Sequence, residues 1–218
     1  MNISSTLFQN VYRFSNLIGM FRECTSLVSI PSGLFANIFN YTGTGSVDFS
    51  YVFYGCRSLR DLPSDMFYHA QRIYITRYAF AECTSLESIP VGFLTDCLTM
   101  AYMEHMFENC ASLMSIPARE DFMPPGIWMT NPSFTGYGTY IDWLTPDSSS
   151  NQHWVYRTFH YMFNGCSGII GNVPILWRGF SYGSNGWPGG EGGSTAGTGC
   201  FRGCTNAANY DEIPDSWK

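Results

Sequence analysis

One motif recurs along this chain and governs every other reading of it. The segments FRECTSLVSIP from Phe21, FYGCRSLRDLP from Phe53, FAECTSLESIP from Phe80 and FENCASLMSIP from Phe107 are near-copies. FNGCSGIIGNVP from Phe163 and FRGCTNAANYDEIP from Phe201 are looser versions. The template is Phe, then Cys three residues on, then Ser-Leu, an aliphatic residue and Pro. Its anchors are Phe21, Cys24, Leu27; Phe53, Cys56, Leu59; Phe80, Cys83, Leu86; Phe107, Cys110, Leu113; Phe163, Cys166; and Phe201, Cys204. The cysteines are separated by 32, 27, 27, 56 and 38 residues, a 27-residue period with insertions. Repeats of this length are single coils that cannot bury an apolar side alone and must stack.

Between templates the pattern continues. Apolar pairs follow the Pro at Leu34-Phe35, Met66-Phe67 and Phe93-Leu94. Before each template Phe, apolar residues fall at i, i+3 and i+4, as in Leu17, Met20, Phe21 and Met103, Met106, Phe107, which predicts a short helical face. Leu27–Ile30 and its counterparts are too short for a helix and predict short strands, each ended by a Pro that cannot donate to a ladder. Stacked coils would then bring these strands into a parallel ladder at about 4.8 Å spacing.

Composition narrows the function classes. Only 13% of the 218 residues are charged and the net charge is −6, with Lys218 the single lysine. Nucleic-acid binding needs a basic stripe to displace counterions, and docking on an anionic membrane surface needs a similar one; neither is present. No apolar run reaches the roughly 18–20 residues of a membrane helix. With 45% hydrophobic residues the chain has enough apolar material for a core.

The wording MF-x-x-C-x-S-L-x-S-I-P, carried by Tyr102–Leu113 (YMEHMFENCASL) and Tyr161–Cys166 (YMFNGC), resembles the BspA-like bacterial surface repeats. It is similar also to the bacterial surface-protein repeats of about 26 residues, a branch of the leucine-rich repeats. The resemblance covers residues 3–122 and returns at 154–178 and 198–218. It implies an α/β solenoid, a right-handed leucine-rich-repeat superhelix of about seven coils with short parallel strands and short helices. It implies a non-enzymatic binding or adhesion module, extracellular or on a bacterial cell surface, taking a protein or glycan ligand. Similar repeats occur in phage- and prophage-associated proteins of gut bacteria, so a structural or receptor-binding part of a phage assembly is the alternative. The expected organisation is one domain, 1–218, without cofactor, metal or catalytic residues.

The repeat phase also places the remaining chemistry. Cys200 falls in the column of Met20, Val52, Ala79, Met106 and Met162, and Cys97 in that of Val11, Ile38 and Ala70. All eight cysteines therefore sit where small apolar residues sit, which favours buried thiols over disulfides. A zinc site needs four converging ligands, whereas a ladder spreads its cysteines along an axis. His105 shares a column with Tyr51, Tyr78 and Tyr161 and reads as a polar-tipped packing residue; His69, His153 and His160 show no catalytic pattern. Glu120-Asp121 and Asp211-Glu212 read as solvated acids. Gly189–Gly193 lacks the Lys-Ser/Thr of a phosphate cradle.

Two surfaces are candidates for binding. Insertions at about 123–153 and 181–195 carry Trp128, Tyr137, Tyr140, Trp143, Tyr182 and Trp187 among Gly, Ser, Thr and Asn, the chemistry of adaptable contact surfaces. These rings could equally fold back on the flank of the coils. The second surface is the outward side of the strands: Val28-Ser29, Arg60-Asp61, Glu87-Ser88 and Met114-Ser115. Ile3–Phe8 aligns with Ile30–Phe35, so the sequence opens in mid-coil. The expectation is that further repeats precede it or that this end docks on a partner. Trp217 is expected to close the last coil.

Overall fold

The computed structural model describes residues 2–12, 14, 16–39, 46–68, 70, 73–94, 97, 100, 102–118, 159–176 and 197–218. Within them the six templates, numbered here as coils 1 to 6, lie one upon another. The template phenylalanines form a single column: Phe21, Phe53, Phe80, Phe107, Phe163 and Phe201 stack at centroid spacings of 5.2, 5.6, 5.4, 5.5 and 5.6 Å. Their planes are within 11° of parallel. Offset stacking of this kind adds about 0.5–1.5 kcal/mol per pair beyond the apolar area removed from water.

Rings of the return segments lock the column from the side. Phe35, Phe67 and Phe93 meet Phe53, Phe80 and Phe107 at 6.2, 6.5 and 6.2 Å, the first two edge-on. Leu27, Leu59, Leu86, Leu113 and Ile169 complete the interior, all fully buried. At its last coil the column ends on Trp217, fully buried and stacked on Phe201 at 6.5 Å. The indole sits so close to the backbone that a Cβ at Gly197 would lie 2.1 Å from its ring.

Regular secondary structure is sparse among the described residues. One four-residue helix, α1 (Ala36–Phe39), lies in a return segment. Strands β1 (Val47–Asp48) and β2 (Ile73–Ile75) pair in parallel, Val47 with Ile73 and Asp48 with Ile75. The expected strand after each Cys is reduced to single parallel bridges, Ser29 to Asp61 and Ser88 to Ser115. Two 3₁₀ turns, Tyr210–Glu212 and Asp215–Trp217, close the last coil.

The expected helical face before each template Phe is not a helix. Residues flanking the Phe at −2 and +2 have positive φ in every coil: Gly19 and Glu23, Tyr51 and Gly55, Tyr78 and Glu82, His105 and Asn109, Tyr161 and Gly165, Gly199 and Gly203. Alternate residues of opposite hand turn successive peptide groups in two directions. In coil 1 the N–H groups of Met20, Arg22 and Cys24 donate inward along the chain to Leu17, Gly19 and Phe21. Those of Leu17, Gly19, Phe21 and Glu23 donate across to the carbonyls of Asp48, Ser50, Val52 and Tyr54 in coil 2, at 2.6–2.9 Å. A helix would spend all its donors on itself and leave the coils unlinked. The ladder wins because it satisfies the same groups and joins neighbours as well.

Candidate functional site

Five of the six column thiols are built into junctions. The Sγ–H groups of Cys56, Cys83, Cys110, Cys166 and Cys204 donate to the carbonyls of Phe21, Phe53, Phe80, Phe107 and Phe163, one coil earlier, at 3.1–3.3 Å. The same carbonyls accept the N–H of their own coil's Cys at 3.2–3.3 Å. A small side chain with a weak donor is what the space admits, and Cys supplies it. All eight cysteines are free thiols. Burial, followed by the neighbouring Cys24 thiol, pushes Cys56 up to about 12; burial raises Cys83, Cys110, Cys200 and Cys204 as well. A thiol is nucleophilic or metal-binding as thiolate, so these groups are chemically quiet at neutral pH. Among the described residues no group of three or more His, Cys, Asp or Glu is placed to hold a metal.

A second ring row runs along the outside at the −2 position. Tyr51, Tyr78, His105 and Tyr161, each half-buried, stack at 4.8, 4.3 and 5.0 Å. Arginines close it at both ends: Arg22 lies 5.6 Å from the Tyr51 ring centre and Arg202 lies 5.3 Å from that of Tyr161. The terminal coils carry Gly at this position. A Cβ at Gly199 would meet the Tyr161 ring at 2.6 Å, so the last ring needs that glycine beneath it. His105 Nδ1 meets Glu108 Oε2 at 2.8 Å, and Arg77 reaches both oxygens of Glu104 at 3.0 and 3.3 Å. Asn109 and Asn164 donate to Glu82 and Glu108 of the preceding coils at 2.7 and 2.6 Å. The nearby His160 imidazole is pushed below its usual value, first by burial. Because the rings face one another, they offer a ligand only their edges. The row braces the coils and is not a stacking platform.

The outward strand side differs. Here the ladder runs in the opposite sense: the N–H groups of Arg60, Glu87, Met114 and Ile170 donate to Val28, Arg60, Glu87 and Met114 at 3.0–3.2 Å. The side chains of this row point outward. Arg60 and Glu87 pair at 3.4 Å on an exposed surface, a contact worth well under about 1 kcal/mol. Met114 and Ile170 are neighbours across the ladder and are 47% and 67% exposed. Trp128, Tyr137, Tyr140, Trp143, Tyr182 and Trp187 lie outside the described residues, as do His69, His153, Glu120-Asp121 and the Gly189–Gly193 run. Asp211 and Glu212 are both exposed.

Two features escaped the sequence reading. The mixed-hand backbone was signalled by the residue before each Cys, which reads Glu, Gly, Glu, Asn, Gly, Gly; three glycines and an asparagine in one column mark left-handed geometry. The Met114–Ile170 contact was hidden by the insertion between the two coils.

No protein-family model matches the chain, and no curated protein does. A crystal structure of a leucine-rich repeat protein from Bacteroides ovatus ATCC 8483 is similar over 71% of this chain, at 15% identity and a TM-score of 0.28. The match covers 33% of that protein, so the chain spans about a third of its length. The described residues themselves define a repeat protein of stacked coils. No helix among them is long and apolar enough to cross a membrane.

Proposed function

We propose that the chain is a right-handed leucine-rich-repeat solenoid of the BspA-like kind, serving as a non-enzymatic protein- or glycan-binding module on a bacterial surface or outside the cell. The exposed Met114–Ile170 pair carries this reading. It is an exposed apolar spot on a row of outward side chains at fixed spacing, in a sequence that also carries two aromatic-rich insertions. Charged residues are few, so affinity would come from apolar contact, stacking and hydrogen bonding, with little electrostatic steering. The aromatic insertions would supply Trp143 and Trp187 as anchors beside it.

The test is binding of the purified chain to a glycan array and to a panel of purified extracellular proteins. Met114→Asp with Ile170→Asp is expected to weaken any captured ligand at least about tenfold while leaving Tm within about 2 °C. Trp143→Ala and Trp187→Ala are expected to weaken it as well. Equal binding by the wild-type and the Met114/Ile170 variant would remove this face from the proposal. The alternative, a structural part of a larger assembly such as a phage fibre, is favoured by a different observation, the uncovered first coil.

A further inference from the structure

The five junctions between coils state what a neighbouring coil must look like. On the template side, alternate N–H groups of one coil donate to alternate carbonyls of the next. The acceptor row of coil 2 is Asp48, Ser50, Val52 and Tyr54, and its equivalents in coil 1 are Asn16, Ile18, Met20 and Arg22. Among the described residues none of those four carbonyls accepts a hydrogen bond. On the strand side the ladder is reversed, and there the Val28 N–H is left as the donor without a described acceptor. Cys24 is the one template thiol that is partly exposed, and no carbonyl of an earlier coil stands before it as Phe21 stands before Cys56. Among the described residues Phe21 is met from this side edge-on, by Phe8 at 6.4 Å and 61°. Around the row, Leu7, Tyr12, Ile18, Met20 and Val28 are 37–53% exposed, five of the nine exposed large hydrophobic residues among the described ones. At the opposite end two of the four equivalent N–H groups are taken within the chain: Gly199 and Phe201 donate to Ser216 and Trp217, and Trp217 covers the ring.

We propose that the face of coil 1 is a docking surface for one further coil of the same Phe-x-x-Cys template, running in the same direction as the six. The occupant follows from continuity with the five existing junctions and from hydrogen-bond polarity. It must present a row of N–H groups to Asn16, Ile18, Met20 and Arg22, an acceptor to Val28, a carbonyl to the Cys24 thiol and a ring to Phe21. A second copy of this chain does not meet that demand. Its last coil has spent the Gly199 and Phe201 donors on its own terminal turn, and two first coils face to face would oppose one carbonyl row with another. The inference stands apart from the ligand-binding reading and does not depend on it.

The experiment adds a coil. Residues 76–88 (TRYAFAECTSLES) are grafted directly before Ile3 in place of Met1-Asn2, because Ile3 aligns with Ile89. A second chain carries the same thirteen residues scrambled, and the ungrafted chain is the reference. The ordered graft is expected to raise Tm by about 5 °C or more. It is also expected to slow alkylation of Cys24 at least about tenfold, since that thiol would then be enclosed. The scrambled graft is expected to change neither. Equal Tm and equal Cys24 labelling for the two grafts would overturn the proposal. So would a reference chain that sediments as a dimer with Cys24 already protected, which would assign the face to a second copy.

Discussion

Two rows of stacked rings cross the described coils, the inner through all six and the outer through coils 2 to 5, and they do opposite work. The inner row, Phe21 to Phe201, is completely or almost completely buried, with its rings separated by 5.2–5.6 Å. The outer row, Tyr51 to Tyr161, has similar spacing but stays half-exposed and sits on residues of positive φ. A non-glycine residue there costs roughly 1 kcal/mol against ordinary backbone geometry. The inner rings gain stability by leaving water; the outer rings recover part of a conformational cost by stacking. Equal geometry therefore implies unequal energy, because burial, not ring contact, is the larger quantity.

The comparison can be broken by substitution. Phe107→Ala removes a fully buried ring from mid-column and is expected to cost about 3–5 kcal/mol, with loss of cooperative unfolding, measured by urea denaturation. Cys110→Ala deletes the thiol that joins coil 4 to the Phe80 carbonyl and is expected to cost about 1–2 kcal/mol in the same measurement. The outer row gives the smallest and sharpest effect. Tyr78→Gly loses the stacking but relieves the backbone at φ 57, whereas Tyr78→Ala loses the stacking and keeps the cost. Glycine is expected to be the more stable of the two by about 1 kcal/mol, the reverse of their order in a helix. Alanine as the more stable variant would mean that the left-handed geometry is wrong and that the helical reading of this segment should return.

Much of the interior was legible because the period of the repeat assigns columns without any need to know the local backbone. Phe, Cys and Leu at fixed offsets, Cys97 and Cys200 in apolar columns, His105 among tyrosines and Trp217 at the end all follow from alignment of the chain with itself. The backbone was not legible in the same way. Leu17, Met20 and Phe21 have helical spacing, yet alternating right- and left-handed residues bring the same positions to one side while freeing every second N–H for the next coil. Apolar periodicity reports which residues are inside, and it is silent on where the peptide groups point. The Gly and Asn at the position before Cys carried that information. For the binding surface, the strand row was legible as a set of outward positions. Which of them touch across the long insertion was not, since 56 residues separate Cys110 from Cys166.

The most direct test of the stacked-coil account is thiol counting on the native chain. Brief alkylation without denaturant, followed by intact-mass and peptide analysis, is expected to modify Cys24 and spare Cys56, Cys83, Cys97, Cys110, Cys166, Cys200 and Cys204. All eight are expected to react once the chain is unfolded. Rapid native labelling of several column cysteines, or a mass showing that they are paired in disulfides, would contradict it.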